Sequence, residues 1–312
     1  MIWGLAGAGA VVVGLFVLAS CLTRNADLPA PQTAAYNAAR DAEPAGPGIT
    51  ASRGAREGND AQSDCGAPST PAAVVNARTL ESLPWSPFGR DETGWAVYEP
   101  LVAHEIHTGC GGATAGFANA LATWQRAHRL GGDGQMTADT FAAMKVVWQG
   151  QRPVTRPTVL CPAPAAEATL AVGAAQDGYA GTVVRLRPGA LAAYRRMAAA
   201  ARADAPAIAR DPRMLTIFSS YRSPEYDAAR CATQRNCNGV TRAVCSPHRT
   251  GLAMDLYMGH APGYPPDSSA DPNRLFMTQG AAYQWMLGHA AEFGFVNYPF
   301  EPWHWEWTGE AP

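Results

Sequence analysis

The spacing of apolar residues divides the chain into stretches of different character. Ile2 to Leu18 is almost wholly apolar, and the first 22 residues carry no charged side chain. A run of that length can span a bilayer and also fits an export signal. From Asn25 to about Ala73, large apolar residues are sparse and Ala, Pro, Gly, Ser and Asp dominate. Such a composition cannot bury enough surface to fold, so residues 22–73 read as a tether. About fifty flexible residues would reach roughly 40 Å. Helical periodicity then begins. Phe117, Leu121 and Trp124 share a face, Gly131-Gly132-Asp133-Gly134 marks a turn, and Thr137 is placed to cap a helix through Thr140, Phe141 and Met144. Residues 74–150 are therefore expected to form a small all-α unit, and the prolines at 153, 157, 162 and 164 mark residues 151–168 as a linker.

Residues 169–312 mix the two periods. Val183 to Leu186 and Met214 to Phe218 read as short strands, and Leu252 to Met258 as a third with Ala253, Asp255 and Tyr257 on one face. Ala190 to Ala203 reads as a helix carrying Leu191, Tyr194 and Met197, and Gln279 to Glu292 as another carrying Tyr283, Trp285, Met286 and Leu287. Near the end Trp303, Trp305 and Trp307 alternate with His304 and Glu306, so the indoles take one face and His304 the other. The expected class is α+β: a small antiparallel sheet with flanking helices, preceded by the small all-α unit.

Charge narrows the field by exclusion. The net charge is −2 with no Lys/Arg cluster, so nucleic acid is not implied, and no Gly-rich phosphate loop occurs. Seven cysteines say more. Leu18-Ala19-Ser20-Cys21 resembles a bacterial lipobox, in which Cys21 is lipidated; the alternative is an uncleaved anchor helix. Either way the chain is expected to be exported, membrane-tethered and monomeric, facing the periplasm or cell wall. Cys65, Cys110, Cys161, Cys231, Cys237 and Cys245 remain, an even number that suggests disulfides. Two of the last three are expected to pair and pin the loop ahead of His248. His104-Glu105-Ile106-His107 has its imidazoles three apart rather than four, and reads as surface or packing, as do His128, His260 and His289.

The chemistry concentrates in Ser246-Pro247-His248-Arg249-Thr250-Gly251-Leu252-Ala253-Met254-Asp255 and Glu301-Pro302-Trp303-His304-Trp305-Glu306. Each offers an imidazole with a carboxylate close by, and a catalytic zinc keeps three such ligands plus water. His248, Asp255 and His304 are the candidate ligands, and Glu301 is left over as the base that acts on water. Residues seven apart on an unbroken strand face opposite ways, so His248 and Asp255 can share an ion only across a bend, which Gly251 permits. Pro302 interrupts the second strand so that Glu301 and His304 converge.

The two stretches resemble the VanY-type D-alanyl-D-alanine carboxypeptidases, whose Ser-x-His-x-x-Gly-x-Ala-x-Asp and Glu-x-Trp-His motifs are matched here by SPHRTGLAMD and EPWH. Ser219-Ser220-Tyr221-Arg222-Ser223 and Phe293-Gly294-Phe295-Val296 supply two further family marks in the right order. The resemblance covers the last 140 residues or so; the cysteine-bearing insert from Cys231 to Cys245 departs from it. It implies a Zn2+ cofactor, Arg222 as the oxyanion residue, and Ser246, Tyr221 and Trp303 at the substrate, which would be the D-Ala-D-Ala end of a peptidoglycan stem peptide. Residues 74–150, with Trp-Gln-Arg-x-His, Asp-Gly and Thr in sequence, resemble peptidoglycan-binding modules. A cross-link endopeptidase with the same zinc centre and a non-catalytic wall-binding lipoprotein remain as alternatives.

Overall fold

The computed structural model describes residues 65–67, 69–154, 161–234 and 245–311. The apolar opening, Cys21, the tether up to residue 64 and Cys237 lie outside the described residues. Among the described residues no helix is long and apolar enough to cross a membrane.

The first unit holds α1 (Pro71–Ser82), α2 (Glu99–Glu105), α3 (Ala115–Ala127) and α4 (Ala138–Gln151). Three of these helices start on a threonine, Thr70, Thr114 or Thr137, whose Oγ accepts an amide of the first turn, which satisfies a donor that the helix itself leaves open. Phe117, Leu121, Trp124, Phe141 and Met144 face one core with Trp85, Trp95, Tyr98 and Trp148. The unit departs from the all-helical expectation, because β1 (Pro84–Trp85) and β2 (Glu92–Thr93) form a short antiparallel ladder. It also starts before residue 74: α1 opens at Pro71, and Cys65 is bonded to Cys110. The Thr70-Pro71 pair is a cap followed by a proline in the first turn, a local signal hidden by the Ala- and Pro-rich composition around it.

The second unit contains a small ladder of β3 (Ala171–Val172) and β4 (Arg185–Leu186), then α5 (Pro188–Asp204), the short α6 (Pro206–Ala209), β5 (Ile217–Ser219), α7 (Pro224–Gln234), β6 (Ala253–Leu256), α8 (Asp271–Thr278), α9 (Ala281–His289), β7 (Phe295–Tyr298) and β8 (Glu301–Trp307). The main sheet has the order β5-β6-β8-β7, antiparallel throughout. Its apolar face, with Ile217, Met254, Leu256, Phe295, Trp303 and Trp305, packs with Leu191, Tyr194 and Met197 of α5 and Tyr283 and Met286 of α9. The other face carries Asp255, His304 and Glu306. β5 starts three residues later than Met214 because Leu215 sits at φ 62, a left-handed conformation that no strand continues through. The helix expected over residues 279–292 starts after Gly280 and tightens into a 3-10 turn at Ala290–Phe293. α7 and α8 were not expected.

The two units meet in a seam of buried charge and aromatic rings. Arg274 of α8 is fully buried; Nη1 donates to Glu92 Oε2 at 3.0 Å and Nε to the Phe300 carbonyl at 3.0 Å. Its guanidinium lies over the rings of Tyr98, at 4.9 Å, and Phe300, at 4.4 Å. Phe88 packs against Phe300 and Tyr298 at 5.4 and 5.7 Å, and Arg90 pairs with Asp271. Arg274 also reaches Asp271 of its own helix at 3.2 Å, and Glu92 accepts from Tyr98 of its own unit, so the cross-unit pair extends a network that starts on each side.

Candidate metal centre

His248 enters on the 3-10 turn Pro247–Thr250, which Ser246 caps by accepting the His248 amide. Gly251 ends the turn at φ 71, and a Cβ there would come within 2.7 Å of Leu170 Cδ2. That left-handed residue is the bend expected between His248 and Asp255. Beyond it β6 carries Asp255, and the antiparallel register sets Asp255 directly opposite His304 of β8.

Three atoms converge. His248 Nε2 lies 3.2 Å from Asp255 Oδ1 and 3.2 Å from His304 Nδ1, and His304 Nδ1 lies 2.9 Å from Asp255 Oδ1. The edges of a tetrahedron around zinc with bonds of about 2.05 Å measure roughly 3.3 Å, so these atoms already form close to one face of such a figure. The other imidazole nitrogens are committed. His248 Nδ1 is 2.6 Å from the Ser220 carbonyl and His304 Nε2 is 3.1 Å from Glu306 Oε1. Both of those oxygens only accept, so each outer nitrogen carries hydrogen, and in the neutral rings the two inner lone pairs and a carboxylate oxygen point at one place. Carboxylate and carbonyl acceptors behind metal-binding histidines fix tautomer and ring orientation in this way.

This convergence shifts all three groups. Burial works to lower His304, but the hydrogen bonds to Asp255 and Glu306 outweigh it and raise its pKa to about 9. Burial and the Arg222 charge depress His248. Burial alone would raise Asp255; His248 and His304 reverse this and hold its carboxyl well below the usual range. A divalent ion bound between these groups would take the place of any proton they share. Among the described residues this is the group able to hold a metal.

Glu306 was not assigned a role from the sequence, although its position two after His304 on one strand face was the available signal. It is buried and paired with Arg152, and burial, which would raise its carboxyl, is outweighed by Arg152 and His304, which lower it. Asn297 was also missed. The ladder runs from Asn297↔Trp305 to Tyr298↔Glu301, so Pro302, Trp303 and His304 bulge away from β7. Asn297 Nδ2 spans the bulge, donating to the carbonyls of His304 at 2.9 Å and Glu301 at 3.3 Å. The interruption expected at Pro302 is thus a bulge stitched by an amide.

Arg222 lies beside the triad. Nε donates to Asp227 Oδ1 at 2.7 Å, Nη1 to Ser219 Oγ at 2.6 Å and Asp255 Oδ2 at 3.5 Å, and Nη2 to Ser246 Oγ at 2.9 Å. Burial would lower its pKa, but Asp227, Asp255 and Glu301 act against that and raise it, which also makes half-buried Glu301 an electrostatic neighbour of the guanidinium. Ser246 is buried, and its hydroxyl ties Arg222 to the His248 turn. Tyr221 is buried too; the charged groups acting on its phenol are Glu167, Glu225 and Arg249, and burial pushes it up.

One expectation is corrected. Trp303 does not line a substrate surface: it is 3 % exposed and belongs to the apolar core beneath the sheet, as the alternation of the tryptophans with His304 requires. Cys245 is bonded to Cys161, so of the three cysteines Cys231, Cys237 and Cys245 it is not one of a pair within the insert. The bond joins the linker to the residue before Ser246, a pairing that sequence proximity gave no reason to choose. Cys231 is itself disulfide-bonded. His104, His107 and His128 are exposed, as expected of residues outside the site.

No curated protein matches the chain. Residues 183–310 match the family model described as "VanY: D-alanyl-D-alanine carboxypeptidase", a span that takes in β4 through β8 with His248, Asp255, His304, Glu301 and Arg222. The C-terminal unit of this chain is therefore a VanY-type domain.

Proposed function

We propose that this domain is a zinc-dependent D,D-carboxypeptidase that removes the terminal D-alanine from peptidoglycan stem peptides. The observation that carries the reading is the meeting of His248 Nε2, Asp255 Oδ1 and His304 Nδ1 within 3.2 Å of one another, beside an arginine held on three sides. Zinc bound by these atoms would supply a Lewis acid that polarises a carbonyl and acidifies water. Glu301 takes the proton of the attacking water and delivers it to the leaving amine. A bond forms between the water oxygen and the scissile carbonyl carbon, the C–N bond breaks, and the free D-alanine leaves with that proton on its nitrogen. Arg222, kept from rotating by Asp227, Ser219 and Ser246, stabilises the charge that develops on the carbonyl oxygen.

The disulfides Cys65–Cys110 and Cys161–Cys245 support an oxidising compartment outside the cytoplasm. The apolar opening with Cys21 supports attachment to a membrane there. In this reading the helical unit sits beside the site and presents the wall to it.

Mass analysis of defined pentapeptide muropeptides and cross-linked dimers tests the activity. The expected result is loss of one alanine from the pentapeptide, abolished by a chelator and restored by zinc. Splitting of dimers without alanine release would replace this reading with an endopeptidase. Retention on sacculi with no product at all would leave a binding protein.

A further inference from the structure

The helical unit sends one side chain to the metal centre. Arg152 follows α4 directly, and its Nε donates to Glu306 Oε1 at 3.0 Å, with Nη2 on the same oxygen. That oxygen also accepts from His304 Nε2 at 3.1 Å. All three contacts converge on Oε1, so the chain Arg152–Glu306–His304 is continuous. The pair is enclosed, with side-chain exposures of 8 % for Arg152 and 1 % for Glu306. Arg152 is fixed from two more directions: Nη1 donates to Gln149 Oε1 at 2.6 Å, and the guanidinium lies 4.4 Å over the Tyr298 ring. Tyr298 is the residue opposite Glu301 in the ladder that carries the bulge.

We propose that Arg152 is a positioning residue for the metal centre, supplied by the helical unit. It acts through Glu306: the forked guanidinium holds the carboxylate where it accepts from His304 Nε2, and that hydrogen bond turns His304 Nδ1 toward His248 and Asp255. Groups behind a metal ligand commonly change metal affinity by about 10- to 100-fold when removed. The family match begins at residue 183 and so leaves Arg152 out. The helical unit is thus a working part of the hydrolase and not only a spacer or a wall anchor. A lysine is no equal substitute, because the contact uses two nitrogens of a planar fork.

The inference rests on the zinc reading above, and the two fail in different ways. Zinc affinity of the full chain is measured by competition with a chromophoric chelator, without reference to turnover. Arg152→Ala is expected to weaken zinc binding by about 10- to 100-fold, and Arg152→Lys to recover part of the loss. Arg90→Ala cuts another contact at the same seam, the pair with Asp271, and is expected to leave zinc affinity within about twofold, because it touches no group behind a ligand. In a Glu306→Gln background Arg152→Ala is expected to cost little more, since its route to His304 is already altered. Equal zinc affinity in Arg152→Ala and wild type, or a full and additive loss in the Glu306→Gln background, overturns the positioning role while leaving the zinc centre standing. If Arg152→Ala does not fold, Arg152→Lys carries the test, and wild-type affinity there overturns the role. Absence of zinc binding by the wild type overturns both readings.

Discussion

The two units bury polar groups in opposite ways. The helical unit has a core of rings, with Trp85 and Tyr98 each 4.7 Å from Phe141. Its buried amides answer one another: Asn76 Nδ2 donates to the Gly134 carbonyl, Asn76 Oδ1 accepts from the Met136 amide, and Gln125 Oε1 accepts from the Gly134 amide, each at 2.8 Å. Donors and acceptors balance, and the loop through Gly134 is fixed against α1 and α3. On the polar face of the sheet the sum does not close. His248, Asp255 and His304 turn acceptors toward a common point, while Ser220 and Glu306 take the hydrogens on the far sides of the rings. Polar burial that closes on itself holds a fold together. Burial that leaves lone pairs facing one another calls for a cation, and so marks a site.

Substitutions on each side sharpen that contrast. Glu301→Gln should have the largest effect on catalysis, lowering kcat by roughly 10²- to 10⁴-fold with zinc content and Tm as in wild type. Steady-state kinetics beside metal analysis check it, and near-normal turnover would remove Glu301 from the base role. Arg222→Lys should follow, with a loss of about 10²- to 10³-fold in kcat, because one ammonium cannot hold Asp227, Ser219 and Ser246 together and still face the substrate. In the helical unit the pattern should reverse. Asn76→Ala strands the Gly134 carbonyl and the Met136 amide and should cost about 1–3 kcal/mol for each buried group left open, with kcat per folded molecule unchanged. Denaturant titration reads the first quantity and active-site-normalised turnover the second; a fall in both would erase the distinction between the units. Trp303→Phe should have the smallest effect, a loss of about 1–2 kcal/mol of stability from the core with an unaltered KM, whereas a rise in KM with normal stability would return Trp303 to the substrate.

How far the sequence reaches follows the same line. His248, Asp255 and His304 could be found because each is local to a stretch with its own bend or alternation, and Gly251 announces the turn that unites the first two. The heads of α3 and α4 were readable from threonine caps and helical spacing. What escaped depends on contacts between distant residues. Arg152 and Glu306 are 154 positions apart, and nothing local to Arg152 distinguishes it from an arginine at a helix end. Asn297 acquires its task only once β8 bulges. Cys161–Cys245 spans 84 positions, and nothing local to either cysteine names the other. Trp303 was placed at the substrate by resemblance, although its alternation with His304 had already turned it to the core.

The zinc reading stands or falls on whether one divalent ion binds between two imidazoles and an aspartate. A crystal of the zinc-loaded protein, with anomalous scattering recorded on both sides of the zinc edge, tests it most directly. One peak is expected about 2.0–2.2 Å from His248 Nε2, Asp255 Oδ1 and His304 Nδ1, with His304 Nε2 still on Glu306. A zinc-loaded crystal with no peak there, or with His304 bound through Nε2, would contradict it.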